Sequence, residues 1–268
     1  MRNLSKILPK TLKRNIEKHS SLRKIVYPIY SKYLKNYIRV TTWWKTGRHH
    51  EAEVSPFRVI EIPPKEVTHK MESGVKFNWS VSGKDLIPKI KSGSWDNRTE
   101  PISQNPIYKS CHQVFREESS WEETPLYKNI SEKLENSDRE HVHGVSQKED
   151  IEIIFENLEN LYNDIKENGY KKQSEIENKD FKVHQKPIID RYLGALNEIA
   201  VNIDRNGNFI LYDGRHRFSI AKILDLEKIP VRVFARHQKW QQKRDQAIEN
   251  PENLDNRILK HPDVPKTR

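Results

Sequence analysis

"LYDGRHRFSIAKILDLEKIPVRV", residues 211–233, decides how the chain is read, because it holds a strand, a corner, a helix and a second strand in succession. Leu211 and Tyr212 end an apolar run, and the chain turns at Asp213-Gly214. Phe218, Ile220, Ala221, Ile223 and Leu224 then form a broad apolar face, as on a helix laid against a sheet. Ile229, Val231 and Val233 alternate as a returning strand. A strand-to-helix corner leaves backbone N–H groups unpaired and carries the positive end of the helix dipole, so it suits an anion. Gly214 lets a ligand approach the backbone. Arg215 and Arg217 offer planar charged donors to phosphate oxygens, and His216 donates or accepts according to tautomer. Three roles are open to Asp213: helix N-cap, partner of an arginine, or metal ligand. The plain alternative is a capped helix whose arginines pair with surface acids.

Upstream, "EIAVNIDRNGNFILYD" places Ile199, Val201 and Ile203 opposite Phe209 and Leu211 across Arg205-Asn206-Gly207-Asn208, which predicts a β-hairpin because Asn-Gly accepts positive φ. Further back, Ile151, Ile154, Phe155, Leu158, Leu161, Tyr162 and Ile165 mark one face of a helix that Gly169 stops, and Ser146 with Glu149 forms a capping box before it. "FRVIEIPPKEV", from Phe57, predicts the first strand of the body. Residues 66–144 read as a long insertion with little regular structure. "RHQKWQQKRDQAIEN" is a polar helix candidate, and residues 251–268 read as a flexible tail.

The chain of 268 residues is 34% hydrophobic and 32% charged, which suits one compact core with polar appendages. Its formal charge of +10 is uneven. Residues 1–45 hold twelve Lys or Arg against one acid, Glu17, while the rest holds 36 basic and 37 acidic residues. The high pI therefore describes an arm, residues 1–50, rather than a basic domain at 57–250. Within the arm, Leu4, Ile7, Leu8 and Leu12 recur at helical spacing, as do Tyr27, Tyr30, Tyr33 and Tyr37, with interruptions at Pro9 and Pro28. A basic amphipathic helix ending in Trp43-Trp44 suits an anionic membrane surface; it also suits a nucleic-acid backbone, or tyrosines packed on the body. One cysteine, Cys111, and the absence of a long apolar run in the sequence lead us to expect a cytoplasmic protein, peripheral at a membrane at most.

The corner together with its helix and returning strand, "DGRHRFSIAKILDLEKIPVRV", resembles the signature of the ParB/sulfiredoxin superfamily, in which an Asp-Gly-His-His-Arg type motif precedes a hydrophobic-Ala pair, Leu-Gly and Ile-Pro-Val. The likeness is good over residues 199–236 and extends less specifically to the 151–169 helix and the Phe57 strand, about half of the chain. It implies an α/β (α+β) fold, a small mixed sheet with packed helices. It implies nucleotide binding, ATP or CTP with Mg2+, through Gly214, Arg215, His216 and Arg217, with phosphotransfer or hydrolysis as the activities of relatives. Arg215 stands where sulfiredoxin has its catalytic cysteine, which excludes sulfinic-acid reduction. The Gly-Glu-Arg-Arg and following DNA-binding module of partition ParB proteins are missing, so the archaeal serine-kinase-like members are the nearer resemblance. Asp225 replaces the family's helix-ending Gly. Rival readings are a ParB-like DNA nuclease and a non-catalytic nucleotide-switched binding module at a membrane surface or nucleic acid.

Phosphotransfer needs a base and a magnesium ligand. Asp213, His216 and Glu66 are the expected catalytic residues, with Glu61 and Asp96 as weaker candidates. His141 with His143, and His49 with His50, have metal-like proximity but no further ligand in sequence, and read as solvated loops.

Overall fold

The computed structural model describes residues 20–72, 87–136, 151–175 and 194–266. The elements are α1 (Ser20–Lys45), β1 (Val59–Ile62), β2 (His69–Met71), β3 (Lys89–Lys91), β4 (Thr99–Pro101), α2 (Pro106–Glu117), α3 (Pro125–Asn136), α4 (Ile151–Asn168), β5 (Ile199–Ile203), β6 (Phe209–Asp213), α5 (Arg215–Ile223), β7 (Ile229–His237), α6 (Gln238–Glu249) and the short α7 (Asn256–Leu259). The fold is mixed α+β around a seven-stranded mixed sheet of order β1-β7-β5-β6-β2-β4, with β3 also paired to β7.

The 211–233 stretch supplies the centre of this sheet. All nine residues of β7 and all five of β5 are buried, as expected of strands covered on both faces. β5 and β6 form the expected antiparallel hairpin, and β7 runs parallel to β5. Ile199, Val201, Ile203, Phe209, Leu211, Val231 and Val233 join Phe218 and Ala221 of α5 and Trp240 of α6 in the main core. The alternate positions Ile210, Tyr212 and Phe234 belong to the smaller clusters, where the Tyr212 and Phe234 rings stack at 4.5 Å. The hairpin turn is organised one residue earlier than its Asn-Gly suggests. The Asp204 carboxylate accepts from the N–H groups of Asn206 and Asn208, and Gly207 takes φ 97°, pressed against the Trp240 ring.

A second core lies among the helices. Ile107 and Cys111 of α2, Leu126 and Ile130 of α3, and Ile151, Ile154, Phe155 and Leu158 of α4 pack with Ile223 of α5. The α4 helix spans the predicted range and ends at Gly169, whose φ is 72°. Its predicted capping box lies outside the described residues.

Several expectations need correcting. The supposed insertion at 66–144 holds three sheet strands and two core helices among its described residues. Each strand is only three residues long, too short for alternation to show in sequence. The 251–268 segment is no loose tail over its described part, because Asp263 and Val264 are buried. The Asp263 carboxylate accepts from Arg236 at 2.9 and 2.5 Å and from Trp240 at 3.0 Å. The Arg244 guanidinium donates to the Asp263 carbonyl at 2.9 Å. Pro28 does not interrupt the arm helix, since α1 runs through it; a proline removes one backbone donor, and here seventeen further helical residues follow.

Candidate functional site

Strand register brings the motif corner and the turn that carries Glu66 to one end of the sheet. Ile60 of β1 lies opposite Val231, Val231 opposite Ile199, and Ala200 opposite Asp213. The end of β1, the starts of β7 and β5, and the end of β6 therefore share one edge. With neighbouring strands about 4.8 Å apart, the β1 and β6 ends are about 14 Å from each other.

The corner is built by Gly214. It is the N-cap of α5 and takes φ 83°, ψ 30°, a left-handed conformation that favours glycine. An added Cβ would sit 3.0 Å from the Ile199 Cα, so β5 and the corner touch backbone to backbone. Asp213 is not the N-cap. It is the last residue of β6, and its Oδ1 accepts from the Gly214 N–H at 2.7 Å. As a glycine, Gly214 has no side chain with which to cap the first turn of α5. Asp213 and Arg215 are exposed, while His216 and Arg217 are half-buried.

The two arginines of the motif diverge. Arg215 projects from the exposed first position of the helix. Arg217 turns inward, donating through Nη2 to the Asn197 carbonyl at 2.5 Å and through Nη1 to the Tyr170 hydroxyl at 3.2 Å. In this structure Arg217 thus fixes the approach to β5 and the residue that follows Gly169.

Beside Arg217 lies an acid that sequence pattern alone did not single out. Glu198 immediately precedes β5 and is only 3% exposed. Its Oε1 accepts from the Gln173 N–H at 2.6 Å, its Oε2 is buried, and the carboxyl neighbours the Tyr170 phenol. Burial pushes the Glu198 carboxyl above its ordinary range, against the Gln173 N–H and the Arg217 charge, which pull it down. Burial likewise raises the Tyr170 phenol to about 12, with Arg217 opposing and Glu198 adding to the rise. The only sequence signals were an acid abutting a strand that is apolar but for Asn202 and a tyrosine just past a helix-stopping glycine.

Glu66 lies in the 3-10 turn Pro64–Glu66 after β1 and is exposed. That turn is held from the far end of α5: Lys222 Nζ donates to the carbonyls of Pro64 at 3.0 Å and Val67 at 3.1 Å. Glu66 and Asp213 therefore share the sheet edge but flank opposite ends of α5. Glu61 is exposed and pairs with Lys172 at 3.3 Å, which helps to hold the 170–175 loop over this edge.

The remaining candidates have structural partners. Asp96 is buried and paired with Arg205 of the hairpin turn, 2.7 and 2.6 Å from its nitrogens. Burial pushes the Asp96 carboxyl up, but the Arg205 hydrogen bonds outweigh it and hold it below the ordinary value. His50 Nδ1 lies 2.8 Å from Asp245 Oδ2, joining the post-helix turn of α1 to α6. His49 accepts from Arg48. His141 and His143 lie outside the described residues. Among the described residues no three His, Cys, Asp or Glu side chains form a cation cluster, and no helix is long and apolar enough to cross a membrane.

The arrangement can receive an anion at a helix terminus whose N-cap is a glycine, with an exposed guanidinium on one side and an exposed carboxylate, Asp213, within reach of a cation that the anion carries. No protein-family model, curated protein or solved structure matches this chain.

Proposed function

We propose that the chain binds a nucleoside triphosphate, ATP or CTP with Mg2+, with its phosphates seated on the first turn of α5. One observation carries the reading: α5 begins on a left-handed glycine that has no capping side chain of its own, with the Asp213 carboxylate engaged by the Gly214 N–H. Backbone N–H groups and the helix dipole at such a terminus attract phosphate. Arg215 supplies a charged fork from the exposed side, and His216 is the next side chain along the turn. The Mg2+ would arrive on the phosphates, since it retains most of its waters and needs only one or two protein carboxylates; Asp213 is the carboxylate at the corner.

Arg217 enters as the residue that positions the corner, through Asn197 and Tyr170. The likeness of the Asp-Gly-Arg-His-Arg corner to ParB/sulfiredoxin proteins supports the same ligand class. Turnover, as phosphotransfer or hydrolysis, would draw on Asp213 and His216 at the corner, whereas Glu66 flanks the opposite end of α5.

Calorimetric titration of the full chain with ATP, CTP and GTP in Mg2+ tests the reading. Saturable heat with at least one nucleotide is expected, with affinity lowered about tenfold or more in Arg215→Ala, the loss of one charge-assisted contact. No heat with any of the three would overturn it.

A further inference from the structure

Among its described residues the α1 helix has two apolar faces, one buried and one exposed. Ser31, Leu34, Ile38 and Thr42 are buried. Ile29, Tyr33, Tyr37, Val40 and Trp44 follow at spacings of four, four, three and four on the opposite side, and Trp43 borders them. All six are exposed, Ile29 and Val40 by about two-thirds of their surface (66% and 65%). The stripe is about 23 Å long at 1.5 Å per residue. Soluble surfaces rarely carry so continuous an apolar row, so the face has an occupant.

Charge identifies it. The sequence of α1 contains no acid, and Lys32 and Arg39 lie along one edge of the stripe, exposed. Arg48 stacks over the Trp44 ring at 4.4 Å, which places a cation at the stripe's end. A second copy of the chain would bring two acid-free basic helices together. A nucleic-acid backbone would engage the lysines and arginines but leave Ile29 and Val40 in water. We infer that the outer face of α1 docks in the plane of an anionic lipid surface. Tyr33, Tyr37, Trp43 and Trp44 sit at headgroup depth, Ile29 and Val40 dip toward the acyl boundary, and the flanking cations meet lipid phosphates. The inference does not depend on the nucleotide reading.

The test is co-sedimentation of the full chain with vesicles of phosphatidylcholine alone or mixed with phosphatidylglycerol. It is compared with Tyr33→Ser/Val40→Ser/Trp44→Ser, three exposed positions, with circular dichroism checking that the variant folds as the wild type does. The wild type should pellet with the anionic vesicles and the triple variant should bind at least about tenfold more weakly, equivalent to about 1.4 kcal/mol. Brominated lipid should quench the tryptophan fluorescence of the wild type. No pelleting, or equal pelleting of both chains, would overturn the inference. So would a dimer in sedimentation velocity that the triple variant abolishes, which would give the face to a second copy.

Discussion

Arg217 donates to the hydroxyl of Tyr170 at 3.2 Å, and through this contact the helix that begins at the corner is tied to the loop that follows α4. The same guanidinium holds the Asn197 carbonyl, so a motif arginine serves as a brace between two connections that sequence separates widely.

Removing the Tyr170 hydroxyl should therefore cost little and removing the guanidinium more. Tyr170→Phe is expected to lower unfolding free energy by about 1 kcal/mol, the net value of one hydrogen bond. Arg217→Ala should cost about 2–3 kcal/mol, because it strands a carbonyl, a buried hydroxyl and the neighbouring Glu198 at once. Urea denaturation of the two variants checks the order; equal losses would mean that Arg217 braces nothing.

Glu198 gives a pH signature. Its folded pKa is raised, chiefly by burial, so its stabilising contribution is fully present below the ordinary carboxylate value, about 4.3, and is lost as pH rises through the folded value. Glu198→Gln keeps an oxygen to accept from Gln173 and has no charge to bury. Relative to wild type, this variant should gain stability as pH rises above about 4.3 and level off once pH has passed the folded value. Thermal midpoints across that range measure the gain, and parallel curves for the two proteins would refute it.

The buried ion network at the C-terminal side behaves in the opposite sense. Asp263, Arg236 and Arg244 are all essentially inaccessible, and burial, with the nearby Arg236 charge, lowers the Arg244 pKa to about 9. Burial alone would push the Asp263 carboxyl up, but the Arg236 charge and hydrogen bonds prevail and hold it far below its usual range. That contribution is present above the ordinary carboxylate pKa and is lost as pH falls toward the folded value. Asp263→Ala should destabilise the chain by about 3–5 kcal/mol, since it leaves two arginines buried without their counterion. Denaturant unfolding reads this directly, and a loss below about 1 kcal/mol would show the network to be incidental.

The central sheet was legible because its information is local. Alternation in Ile199–Ile203 and Ile229–His237, an Asn-Gly turn and a glycine at Gly214 all act within a few residues. The short strands β2, β3 and β4 were not, because three residues carry no period and their place is set by partners such as Ile210 and Ala235 far along the chain. The corner itself could be located from Asp213 to Arg217. Its division of labour could not, since whether an arginine faces solvent or braces a loop depends on Tyr170 and Asn197 arriving from elsewhere. Glu198 escaped for the same reason: an isolated acid beside a strand reveals nothing until the loop at Gln173 closes over it.

Backbone amide mapping tests the phosphate corner most directly. In a 15N-labelled full chain titrated with ATP or CTP in Mg2+, the largest shift changes should fall on the amides of Gly214, Arg215, His216 and Arg217. They should be lost in Arg215→Ala at the same nucleotide concentration. Shifts that spare these four amides, or none at saturating nucleotide, would contradict nucleotide binding at this corner.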